Sequence, residues 1–182
     1  WLFPTEEPPA DDPIAMPYHL SSHILLWRTL ILLDRLSVEK DFMADAREVR
    51  AAIAEHFIAE DADGQMLYAY AADGGGGHHF YQDANDIPFV MAPLWGMLPP
   101  EDPVWRATAE FSFSEKNKGG SYNGRLGSIH TPAPWPLGDV QEMVIARLTK
   151  NREREEETRH RLISAAQWDG ALPEAYNAKA YT

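Results

Sequence analysis

The chain has 182 residues, enough for one domain with a real core, and no cysteine, which excludes a disulfide frame and thiolate chemistry. Sixteen basic against 28 acidic residues give a formal net charge of -12. That charge repels polyphosphate and anionic lipid, so nucleic acid and membrane surfaces are not expected partners, and no run approaches the roughly 18 apolar residues that span a bilayer.

Six helical patterns follow one another, and their polarity alternates. Residues 20–36 are apolar nearly all round, with Leu20, Ile24, Leu25, Trp27, Leu30 and Leu33, which predicts a helix buried on most sides. Residues 41–58 carry one stripe, Phe42, Ala46, Val49, Ile53 and Phe57, opposite charged positions, so this helix should face solvent on its other side. Next, "GQMLYAYAADGGGGHHFYQD" places two short aromatic runs around four glycines and reads as a hairpin with a mobile tip.

The pair of helices then recurs in kind. Residues 85–97 have almost no polar face, and Pro88 suits a first turn. Asp102-Pro103 opens a fourth helix with an N-cap and a proline at its first position, followed by the single stripe Val104, Thr108 and Phe111. A long irregular connection, "NKGGSYNGRLGSIHTPAPWP", leads to the third pair. In that pair an apolar helix at 138–148 precedes a highly charged one at 151–167. Buried and half-exposed helices in alternation are what two concentric rings produce. The expected fold is all-α: three helical hairpins of an (α/α)6 toroid plus a small β-hairpin, one partial domain over 1–182 without an internal boundary. An α-solenoid or a helical bundle has the same signature. The chain opens on Trp1 and stops soon after an irregular turn, so a piece of a longer polypeptide is expected, its missing remainder being the first partner.

Loops preceding the buried helices would open on one end of such a toroid. The first, "PTEEPPADDPIAMPYHL", crowds Glu6, Glu7, Asp11 and Asp12; carboxylates this close raise the pKa of one member if partly buried, as a general acid requires, whereas a solvated acidic loop has no such use. The second, "HHFYQDANDIPFVMAPLWG", sets Asp83, Asn85 and Asp86 before an apolar helix, either as caps or as sugar acceptors beside Phe80, Tyr81 and Trp95. His78 and His79 stand near those acids but lack ligand spacing for a metal. The third, "GSIHTPAPWPLGD", offers His130 and Trp135 either to a sugar ring or to a stiffened helix entry. In the fourth, "GALPEAYN", a lone Glu174 stands between Pro173 and Tyr176.

Taken in order, these loops resemble glycoside hydrolase family 125, metal-independent exo-α-mannosidases with an (α/α)6 barrel. The family's "PSDDA" with "IPSN", "DDANVPSLL…PYLG", "G-x-PH…WPM" and late "HESF" have counterparts here in "PADDPIAMPYHLSSH", "QDANDIPFVMAPLWG", "GSIHTPAPWPL" and "LPEAY". The resemblance implies a carbohydrate substrate and neither a metal nor another cofactor. Its paired aspartates fall on Asp11 and Asp12, with Asp11 favoured as the general acid and Glu6 or Glu7 taking that place if the loop threads differently. Its general base falls on Glu174. Asp83, Asn85 and His130 take sugar-binding or loop-fixing places, with Tyr81, Trp95 and Trp135 as candidates for the sugar cradle. The chain departs from the pattern at Ala10, where the family has Ser, at the absent Arg two places earlier, and at Pro173, where it has His. An inverting hydrolysis of an α-mannoside is the implied reaction. A glucosidase or a phosphorylase on the same scaffold, or a non-catalytic carbohydrate-binding module, are the rivals. A phosphorylase needs a phosphate pocket, for which only Lys179 and Arg125 stand out.

Overall fold

The computed structural model describes residues 1–7, 15–36 and 41–177. Asp11 and Asp12 therefore lie outside the described residues, as does Lys179. Among the described residues the helices are α1 (Leu20–Arg35), α2 (Phe42–His56), α3 (Ile87–Met91), α4 (Pro103–Ser112), α5 (Pro136–Leu148) and α6 (Arg152–Ala165). Between them run short strands: β1 (Tyr18–His19), β2 (Ile58–Glu60), β3 (Met66–Tyr68), β4 (Ala71–Ala72), β5 (His78–His79), β6 (Ser121–Tyr122), β7 (Arg125–Ser128) and β8 (Ala133–Pro134). None of these helices is long and apolar enough to cross a membrane.

Four helices start where their capping chemistry puts them. The carboxylates of Asp41 and Asp102 and the side-chain oxygen of Asn151 accept backbone N–H groups at the first turns of α2, α4 and α6. Proline opens α4 and α5 at a position whose N–H would have no helical partner. The third helix is shorter than its apolar run predicts. Pro93 has no N–H to continue the ladder, and the chain passes into tight turns closed by Trp95 N–H to Met91 O (3.0 Å) and Met97 N–H to Ala92 O (3.0 Å).

The expectation of an all-α chain is corrected by three small sheets. Strands β1, β4 and β5 form one, with Tyr18 opposite Ala72 and Ala71 opposite His79. The glycine-rich tip of the expected hairpin is closed by Asp73, whose carboxylate accepts Gly75 N–H (2.7 Å) and Gly77 N–H (2.8 Å). Strands β2 and β3 form the second, so Ile58 belongs to a strand and not to the end of the preceding helix. The long connection before α5 is not irregular: it folds into the antiparallel sheet β6-β7-β8.

The alternation of helix polarity has a spatial counterpart. Helix α1 packs on α3 and α3 on α5, while α2 packs on α1, α6 on α5 and α4 on β3. The first, third and fifth helices thus form one row, with α2 and α6 packed against its ends, an arrangement consistent with part of an (α/α)6 barrel. The core between them includes Leu20, Ile24, Val49, Phe89, Trp105 and Ile145. Trp105 is wholly enclosed, its indole N–H donating to Phe89 O at 3.2 Å. Helix α1 is less enclosed than expected, since Leu25 and Leu32 are 51% and 44% exposed.

One core group makes folding sensitive to acid. The His23 ring is buried beside Phe57; its Nε2 accepts Phe3 N–H (3.0 Å) and its Nδ1 lies 2.7 Å from His19 O. Only a neutral imidazole protonated at Nδ1 satisfies both contacts. Burial holds its pKa below the ordinary 6.5, outweighing the hydrogen bond to His19 O. The unfolded chain therefore binds this proton more readily, and the contribution of His23 is present above its unfolded pKa and lost as pH falls through the folded one. Thermal unfolding between pH 7.5 and pH 5 is expected to show decreasing stability on acidification, with a shallower slope in His23→Gln. Equal slopes would remove His23 from the account.

Candidate active site

The strongest cluster of chemistry-bearing groups surrounds the link between β7 and β8 and the loop after α6. That loop turns back on itself through Gln167 N–H to Ala171 O (2.8 Å) and Gly170 N–H to Gln167 O (2.9 Å). It then returns onto β8, where Tyr176 N–H donates to Pro134 O at 3.0 Å. Glu174 is exposed on this return, and its Oε1 accepts the Thr131 hydroxyl at 3.3 Å. Beside it lies a cavity of about 290 Å³ walled by Trp135, Leu137, Val140, Leu172 and Pro173, with Glu174 the only carboxylate of its lining among the described residues. Trp135 is itself buried and oriented by its indole N–H, which donates to Thr131 O at 2.9 Å.

The link that carries Thr131 is fixed from beneath by Asp83. This side chain is 2% exposed and its oxygens are already engaged. Oδ2 accepts the Tyr81 hydroxyl (2.6 Å) and the Ser128 hydroxyl (2.8 Å), and Oδ1 accepts Asn85 N–H (2.8 Å). Ser128 Oγ in turn accepts His130 N–H (3.1 Å), and the Tyr81 oxygen accepts Ile129 N–H (3.2 Å). Gln141 of α5 completes the frame by donating to Asp83 O and Ala84 O. Burial pushes the Asp83 carboxyl above the ordinary carboxylate range despite these donors, and burial together with the neighbouring Asp83 pushes the Tyr81 phenol upward.

The expected site residues therefore divide. Glu174 and Trp135 meet at one cavity, and His130 sits exposed on the adjoining link. Asp83 and Tyr81 point inward: Asp83 fixes its loop, one of its two expected uses, and the Tyr81 hydroxyl, expected at the sugar cradle, donates to Asp83. Asn85 is half-buried in the same turn. Trp95 packs against the helical core, its carbonyl facing Arg28 of α1 at 3.5 Å. Glu6 and Glu7 are exposed. Capping is expected of at least one of Asp83, Asn85 and Asp86. Asp86 occupies the N-cap of α3, yet its Oδ2 meets His19 Nε2 at 2.9 Å and makes no cap bond. His78 and His79 diverge, one ring facing His56 O and the other stacked on Tyr81.

Sequence reasoning missed Ser128, Thr131, Gln141 and Asp139. The first two are ordinary loop residues without a pattern. The last two carried a signal, since each is a polar side chain inside the apolar run of α5, and each is buried there.

The fold is shared with a Streptococcus pneumoniae protein of a widely distributed family of metal-independent alpha mannosidases, solved in a non-productive substrate complex with alpha-1,6-mannobiose. The match has a TM-score of 0.79 at 22% identity and covers 98% of this chain and 46% of that one. At that identity the likeness is one of fold. The model of the metal-independent alpha-mannosidase family (GH125) matches residues 6–182, and the chain belongs to that family. A curated relative, the meiotically up-regulated gene 157 protein of Schizosaccharomyces pombe (strain 972 / ATCC 24843), is 23% identical over 161 residues, which cover 81% of this chain and 31% of the relative. The chain thus spans about half of the solved protein's length and about a third of the curated relative's.

Proposed function

We propose that this chain forms part of a glycoside hydrolase that cleaves terminal α-mannosides with inversion, Glu174 acting as the general base. The observation that carries the reading is the placement of Glu174: an exposed carboxylate at the edge of a cavity, steadied by Thr131, in the position that resembles the family's late glutamate. A general base needs an oxygen that faces solvent and is not consumed by structural donors, and Glu174 meets that requirement where Asp83 does not. The acid is assigned to Asp11, with Asp12 as its neighbour. Asp83, Tyr81 and Ser128 hold the link that presents His130 and Thr131, and His130, Asn85 and Trp135 are assigned to the sugar side, with Trp95 a remoter candidate. Residues 1–182 act as one partial catalytic domain. The exposed Leu25 and Leu32 of α1 are assigned to packing against the remaining helices of a closed (α/α)6 toroid.

Inversion follows from a water held between base and anomeric carbon while the acid protonates the leaving oxygen on the other face. The full polypeptide, incubated with alpha-1,6-mannobiose and followed by proton NMR, is expected to release β-mannose first, at the same rate with and without EDTA. Release of the α-anomer, a requirement for phosphate, or no cleavage of any α-mannoside would each contradict this reading.

A further inference from the structure

The loop carrying Glu174 has no regular secondary structure, and among the described residues the hydrogen bond to the Glu174 side chain is a long one, at 3.3 Å. What fixes the carboxylate must therefore act through the backbone, and two residues on the chain is anchored firmly. Tyr176 is buried, its N–H bonded to Pro134 O of β8 and its hydroxyl donating to Asp139 Oδ2 at 2.6 Å. The segment that receives Tyr176 also carries Thr131, which reaches Glu174. The two segments are thus clamped at two points with the carboxylate at the open end.

Asp139 stands in the first turn of α5, where the helix dipole favours a carboxylate but burial makes it costly. It is 2% exposed on α5, and its other oxygen accepts Arg161 Nε of α6 at 3.0 Å. Arg161 also pairs with Glu142, Glu142 with Arg154 (2.7 Å), and Arg154 with Glu110 (2.8 Å). A buried carboxylate is tolerated only when charge partners and hydrogen bonds surround it. Here the Asp139 carboxylate, paired with Arg161 of α6, receives the Tyr176 hydroxyl from the Glu174 loop. The same helical stretch turns Leu137 and Val140 to the cavity and Asp139 to α6. In the resembling motif "HESF" the corresponding place is Phe, which has no hydroxyl to give.

We infer that Asp139 and Tyr176 form a latch that positions Glu174 for catalysis, an inference resting on Glu174 being the base. Both are positioning residues and touch no substrate. The latch makes three kinds of variant separable in the full polypeptide with alpha-1,6-mannobiose. Tyr176→Phe removes one oxygen and is expected to lower kcat about 10-fold or more, with KM within about twofold, because misplacing a reacting group by about 1 Å costs on the order of 100-fold. Asp139→Ala reads the same bond from the other side and should lower kcat similarly, the double variant being no worse than either single one. Glu142→Gln weakens the same charge network without touching the latch, so it should lower Tm while leaving kcat near wild type. Wild-type kcat in a folded Tyr176→Phe or Asp139→Ala protein would overturn the inference, as would a kcat loss in Glu142→Gln equal to theirs. Turnover surviving in Glu174→Gln would instead overturn the assignment of the base.

Discussion

Replacing Glu174 by Gln in the full polypeptide is expected to lower turnover of an α-mannoside by about 1,000-fold, within the range general-base catalysis supplies. Gln keeps the shape and can still accept the Thr131 hydroxyl, so the loop and the cavity should persist; only the capacity to take a proton from water is lost. Sugar binding measured by calorimetry should consequently change by less than about threefold, which separates an enzyme from a module that merely binds. Equal loss of binding and turnover would make Glu174 a binding residue, and unchanged turnover would remove it from the chemistry.

The largest effect on stability is expected at Gly138. A Cβ there would fall on the carbonyl carbon and oxygen of Leu126 in β7, and no flexible side-chain end is available to move aside. The strand cannot yield easily, because Leu126 O also accepts Trp135 N–H at 3.1 Å and β7 is paired on both edges. Nor can α5, which is held through Gln141 to the Asp83 turn. Gly138→Ala is therefore expected to cost about 3 kcal/mol, toward the upper end for overpacking. It should be read from the denaturant midpoint at unchanged slope. Gly127 serves the other side of the same strand, where a Cβ would meet the Ala133 carbonyl. These two close approaches bring β7, β8 and the N-terminus of α5 together and so shape the wall beside Glu174. A midpoint within experimental error of wild type would mean that the strand and helix sit farther apart.

Much of the helical framework was legible because each long element carries its own period and its own stop signals. Asp102-Pro103 and Asn151 mark helix starts whose cap bonds the structure contains. The alternation of all-round and one-sided apolar patterns agrees with the packing of α2 on α1 and of α6 on α5, whereas α4 packs on β3. The apolar run after Asn85 misled for a local reason: hydrophobicity continued through Pro93, but the hydrogen-bond ladder could not. Strands of two to four residues leave no readable alternation, which is why β6, β7 and β8 looked like an irregular connection.

The site was legible in its residue types and less so in their directions. Glu174 stood out only once the late motif was set beside the other three, since one surface glutamate has no pattern of its own. Asp83 was recognisable as a special residue, but nothing in "QDAND" says whether a carboxylate faces a ligand or its own backbone. The answer depends on Ser128, 45 positions later, which supplies the donor. The Asp139–Tyr176 bond is likewise a product of the tertiary fold, joining the first turn of α5 to a loop 37 residues away. In both cases the hint present in the sequence was a polar residue placed where an apolar one would pack more cheaply.

The account is tested most directly by a crystal structure of the full polypeptide with a mannose-configured inhibitor in the site. It predicts Glu174 on one face of the ring with a water against the anomeric carbon, and Asp11 or Asp12 on the other, the carboxyls roughly 6.5–9.5 Å apart. A sugar ring bound away from Glu174, or an aspartate pair at the far end of the molecule from it, would contradict the account.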